Sequence, residues 1–265
     1  MSIVTIDNDV RYQGWVENVK HLKKSKTNID RLINRQLKLS RLLPSGEIHP
    51  VDLEVISNLS KSAFLIYSSY TEANLLRLIH LPNAFTSNEV TCILHKKKSN
   101  IIDAWFEAIK IALSKNNVTL VGNITHANCL TSLKSIKKNY LKDPSEIRNK
   151  LIHGQWTIAY NSKYTSKNSD VTDKISSIDI AQINAWYKVF DKFSELLKQL
   201  IQSPNKGFSV QYSQIINEIN SISRDTQTWN IYSKRVNLMK KGNIPEDTVI
   251  KRLKSEKDSN NDLAK

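Results

Sequence analysis

Apolar residues recur at three- and four-residue steps through most of this chain, and six glycines and six prolines in 265 residues are too few to interrupt them. That spacing builds helices, because side chains three and four apart share one helix face. The expected fold class is therefore all-α, with roughly eight helices. A first helix over about 10 to 43 sets Ile29, Leu32, Ile33, Leu39 and Leu43 on one side and Arg31, Arg35, Lys38 and Arg41 on the other. A segment from about 51 to 81 carries Ile56, Leu59, Ala63, Tyr67, Tyr70 and Ala73 on one stripe, while Leu65, Leu75 and Leu76 lie off it. Apolar residues on more than one side predict a central helix. Helices near 86 to 97, 100 to 115 and 126 to 141 follow, then a short one after Pro144. From about 177 to 202, Trp186, Phe190, Phe193, Leu197 and Leu200 mark a helix facing the core or a partner, and two more near 207 to 222 and 225 to 241 complete the set.

Charge bounds the class of partner. With 39 Lys and Arg against 25 Asp and Glu the formal charge is +14, which favours a polyanion such as nucleic acid. No apolar run approaches the ~18 residues a membrane-spanning helix requires. The N-terminus "MSIVTIDNDVRYQGW" lacks the basic and apolar regions of a secretory signal, so a cytoplasmic protein without membrane association is expected. Two cysteines, Cys92 and Cys129, do not make a disulfide framework.

The stretch "EIRNKLIHGQW", residues 146 to 156, combines helix signals with reactive side chains. Asp143 is the expected N-cap, Pro144 the first helical residue and Glu146 the closing member of a capping box. Gly154 supplies a left-handed C-terminal cap. Ile147, Leu151 and Ile152 would supply the packing that a helix this short requires. His153 falls in the last turn, where the carbonyl end of the helix dipole favours the protonated imidazole. Arg148 and His153 lie ~140° apart around a helix, whereas Asn149 and His153, four apart, share a face. A guanidinium, an amide and an imidazole together suit a phosphodiester: Arg binds the phosphate oxygens, and His moves the proton of the attacking or leaving oxygen. RNA carries its own nucleophile, the 2′-OH. After the motif, "QWTIAYN" alternates and is followed by the polar "SKYTSKNSDVTDK", which predicts a short extended segment or hairpin.

Arg148-Asn149-Lys150-Leu151-Ile152-His153 resembles the R-N-x-x-x-H motif of HEPN-superfamily ribonucleases. The likeness extends more loosely over residues 50 to 202, as helices on both sides of the motif, "HG" before an extended stretch, and a long amphipathic helix. It implies a HEPN-like helical bundle with peripheral helices, a homodimer that brings two motifs together, and metal-independent endoribonuclease activity leaving a 2′,3′-cyclic phosphate. By the same likeness Arg148 binds phosphate, His153 transfers the proton, Asn149 orients it, and Glu72 in "YSSYTEANLLRLIH" is a fourth member beside Arg148. A toxin or antiviral-defence role, with an antitoxin or defence-system partner, is implied as well. No cofactor is expected. The domain division that follows is an N-terminal amphipathic helix over 1 to 45 packed on the bundle, a HEPN-like helical domain over 46 to 241, and a mobile charged tail over 242 to 265.

Other readings stand beside these. Glu72 could pair with nothing, or Arg148 could pair with Asp143 or Glu146 while His153 only caps its helix. Lys134, Lys137, Lys138 and Tyr140, which lead into the motif, and Lys150 within it, could guide an RNA backbone and stack a base. Basic runs at 21 to 26, 95 to 98 and 234 to 241 read first as solvated faces. Cys92 with His95 and His126 with Cys129 have the spacing of paired zinc ligands, against the ordinary role of cysteine as a small buried apolar residue. Trp156 and Trp186 are candidate interface anchors. The runner-up function is a non-catalytic helical scaffold or regulator that binds nucleic acid or a protein.

Overall fold

The computed structural model describes residues 8–115, 126–136, 142–226 and 228–241. The fold is all-α. Ten α-helices occur among the described residues: α1 (Asn8–Leu39), α2 (Pro50–Ile79), α3 (Ser87–Ser99), α4 (Ile101–Lys115), α5 (His126–Ile136), α6 (Lys142–Ile152), α7 (Ser169–Ser176), α8 (Ile180–Gln202), α9 (Ser209–Thr226) and α10 (Ile231–Lys241). A π-helical turn, Pro204–Phe208, joins α8 to α9.

Helix α1 runs back along α2. The Asn8 side chain donates to the His80 carbonyl at 3.2 Å at one end of the pair. At the other, Arg41 Nε meets Asp52 Oδ2 at 3.0 Å. The buried stripe of α1 is Val19, Ile29, Ile33 and Leu37, whereas Leu32 and Leu39, expected on that stripe, are 54% and 36% exposed. The helix stops at Leu39 rather than near 43, because the chain turns through Gly46 at φ 83° and closes a single bridge between Leu42 and Ile48.

As its sequence predicts, α2 is central. Phe64, Tyr70 and Leu76, ~120° apart around it, are all buried. It packs against α1, α4, α6 and α8. Aromatic residues fill the centre: Trp105 of α4 sits edge-on to Phe190 of α8 with ring centroids 5.2 Å apart, and Tyr67 of α2 stacks on Trp186 at 6.0 Å. The Trp105 indole N–H donates to the Thr71 carbonyl at 3.3 Å, which satisfies its polar atom in the core. Trp186 is 8% exposed and therefore anchors the chain's own core rather than an interface.

The region after the motif is partly as its sequence predicts. The extended stretch contributes one antiparallel bridge, Tyr160 to Lys167, and no strand among the described residues. Its polar continuation contains helix α7, capped by Asn168, whose side chain accepts from the Val171 N–H at 3.1 Å. Eight residues with Val171, Thr172 and Ile175 buried are too few for periodicity to announce a helix. No helix among the described residues is long and apolar enough to cross a membrane. Lys137, Lys138, Tyr140 and the tail over 242 to 265 lie outside the described residues.

Candidate active site around Glu72 and Arg148

Helix α6 is held against the core by Ile147 and Leu151, four residues apart and each 2% exposed. Ile152, expected to pack with them, is 52% exposed, because it lies one residue round the helix from the buried pair. The helix begins at Lys142, two residues before Pro144, so the proline is its third residue rather than its first. Pro144 remains within the first turn, where a backbone N–H has no helical partner to lose. The Glu146 carboxylate lies 3.6 Å from Lys174 of α7. The Ser145 hydroxyl donates to the Asn100 side-chain oxygen at 3.5 Å, which ties the start of α6 to the start of α4.

The C-terminal end matches the sequence reading closely. Gly154 has φ 76°; its N–H donates to the Leu151 carbonyl at 3.1 Å, and the Gln155 N–H donates to the Lys150 carbonyl at 3.0 Å. This pair of bonds is the Schellman arrangement. The Trp156 indole N–H adds a bond to the Leu151 carbonyl at 3.0 Å, which is why a tryptophan follows the glycine. Trp156 thus serves the helix end. His153 is the residue before the left-handed glycine, and its imidazole is exposed.

Packing of α6 on α2 brings Arg148 to Glu72: Arg148 Nη2 lies 3.6 Å from Glu72 Oε2. The other carboxylate oxygen, Oε1, lies 2.7 Å from Lys97 Nζ of α3. The three side chains are about one-third exposed, so the cluster opens to solvent. Lys97 is the member that the sequence reading did not single out. It lay inside the basic run 95 to 98, and only the rotation of α3 distinguishes it from Lys96 and Lys98.

The remaining candidates separate. Asn149 is exposed, and it meets His153 through the backbone, His153 N–H to Asn149 carbonyl at 3.4 Å; among the described residues no bond joins its side-chain amide to the imidazole. The Lys150 ammonium donates to the Tyr160 carbonyl and so holds the segment after the motif. Lys134 is exposed, with its ammonium 6.0 Å from the centre of the Phe106 ring. Cys92 is exposed while Cys129 is fully buried. Burial pushes the Cys129 thiol up to about 11, with the Tyr212 hydroxyl opposing, so it behaves as a core residue. Among the described residues no three His, Cys, Asp or Glu side chains are grouped as a metal would need. No protein-family model, curated protein or solved structure matches this chain.

Proposed function

We propose that this chain is a metal-independent endoribonuclease of the HEPN type, acting as a homodimer in a toxin or antiviral-defence role. The observation that carries the reading is the meeting of Glu72 and Arg148. A carboxylate from α2 and a guanidinium from α6 meet, both partly open to solvent, and the guanidinium stands five residues before an exposed histidine. In the chemistry proposed, an imidazole takes the proton of the ribose 2′-OH as that oxygen bonds to phosphorus. The bond to the 5′ oxygen breaks, and that oxygen is protonated as it leaves. The products are a 2′,3′-cyclic phosphate and a 5′-OH end. Arg148 stabilises the charge on the phosphorane oxygens, and Lys97 adds a second cation beside it. Exposed Ile152 and Ile158, flanking His153, supply apolar surface for a second subunit.

The test is RNA cleavage in EDTA with analysis of the 3′ ends. Cyclic phosphate is expected, and His153→Ala and Arg148→Ala should each lower the rate ~100-fold or more with unchanged helix content. Absence of cleavage under these conditions would remove the proposal. A non-catalytic scaffold is the second reading, and one distance favours it: Glu72 is closer to Lys97 than to Arg148, as a carboxylate stapling three helices would be. On that reading the variants lose stability or partner binding, and RNA stays intact.

A further inference from the structure

A second cleft, of about 460 Å³, opens between α1 and α8. It lies on the other side of α2 from the candidate active site: Tyr70 lines it, and Glu72, two residues on, is turned by ~200°. Its walls are polar where packed helices ordinarily bury apolar stripes. Lys23, Lys26 and Asp30 come from α1 at steps of three and four, and Asn184, Lys188 and Asp191 from α8 at steps of four and three. Three ammonium groups lie over aromatic rings of the cleft: Lys23 over Tyr70 at 5.6 Å, Lys26 over Tyr187 at 5.2 Å and Lys188 over Trp229 at 4.5 Å.

Both carboxylates already carry a partner. Asp30 Oδ2 is 2.6 Å from the Lys26 ammonium, and Asp191 Oδ1 accepts the Tyr70 hydroxyl at 2.5 Å. Three lysines against two engaged carboxylates leave the cleft electropositive. A cationic ligand would find the rings taken by lysines, so the charge favours an anion. Asp30 Oδ1, Asn184 Oδ1 and the Tyr187 hydroxyl are shielded from solvent and have no hydrogen-bond partner among the described residues. Tyr187 as a whole is only 6% exposed. Buried polar atoms of this kind require partners, and two of the three are acceptors only. A bound molecule that presents N–H or O–H donors would satisfy them.

We propose that this cleft binds a small organic phosphate whose body carries hydroxyl or amino donors, with Lys23, Lys26 and Lys188 holding the phosphate. Asp30 and Asn184 take the donors, and Trp229 at the rim, 37% exposed, offers a flat surface to a ring. The volume lies in the range of small-molecule sites, about 300–1,000 Å³. A nucleotide and a sugar phosphate share this chemistry.

Titration calorimetry of the full chain with ADP, ribose 5-phosphate and orthophosphate separates the two sources. Binding of one or both organic phosphates is expected, weakened about tenfold or more in Lys23→Ala/Lys188→Ala and unchanged in Lys24→Ala. Lys23 and Lys188 are exposed, so circular dichroism of the double variant should match the parent. Binding should persist in Lys97→Ala/Arg148→Ala, which makes the result independent of the ribonuclease reading. Orthophosphate binding as tightly as the organic phosphates, spermidine binding in their place, no binding at all, or loss only in the Lys97/Arg148 variant would each overturn the proposal.

Discussion

Glu72 bears a cation on each carboxylate oxygen, Lys97 on one and Arg148 on the other, which makes it the most informative single residue to change. Ion pairs this open to solvent contribute little to folding, about 0–1 kcal/mol. Glu72→Gln should therefore leave the urea midpoint nearly unchanged. RNA cleavage should fall ~10–100-fold, because Arg148 loses the group that orients it. A large loss of stability with no change in cleavage rate would make Glu72 a staple rather than a positioning residue. The resemblance of residues 148 to 153 to a known motif pointed to Glu72, and a carboxylate on a half-apolar helix face wants a partner. Nothing comparable marked Lys97, one of three consecutive lysines, since neighbours in a run differ only in the direction their helix turns them.

At the scale of the element, α6 owes its end to backbone conformation rather than to contacts. A Cβ on Gly154 would meet nothing within 4 Å, yet φ is 76°. Gly154→Ala should cost ~1 kcal/mol through the left-handed backbone alone, read as a lower urea midpoint with unchanged slope. Cleavage should fall as well, because the cap fixes where His153 emerges. An unchanged midpoint would mean the chain leaves α6 by another route. Caps with a glycine signature were readable, as Gly154 shows. The start of α6 was less so, and α7 was missed, because its polar sequence and eight residues offer no periodicity and its burial comes from neighbouring elements.

For the whole molecule, the decisive prediction concerns subunit number. Arg148 turns toward α2 while His153 lies exposed at the end of α6, ~140° round the helix, so the two act together most readily across a two-fold axis. Mixing inactive Arg148→Ala and His153→Ala proteins should then restore activity. Random exchange gives half heterodimers with one intact composite site in two, about a quarter of the parent's sites. Sedimentation should show a dimer in the same buffer, and a fully active monomer would sink the idea. What the sequence determined alone was helix type, the centrality of α2, the aromatic face of α8 and the cap at Gly154, because periodicity and capping act within a few residues. Tertiary packing decided which faces met. It buried Trp186 in the chain's own core, left Leu32 and Ile152 outside, brought Lys97 and Arg148 to one carboxylate, and set two lysine-bearing helix faces opposite each other across a cleft. These pairings join residues far apart in the chain, and their energies depend on how the helices share one core, which no local pattern records.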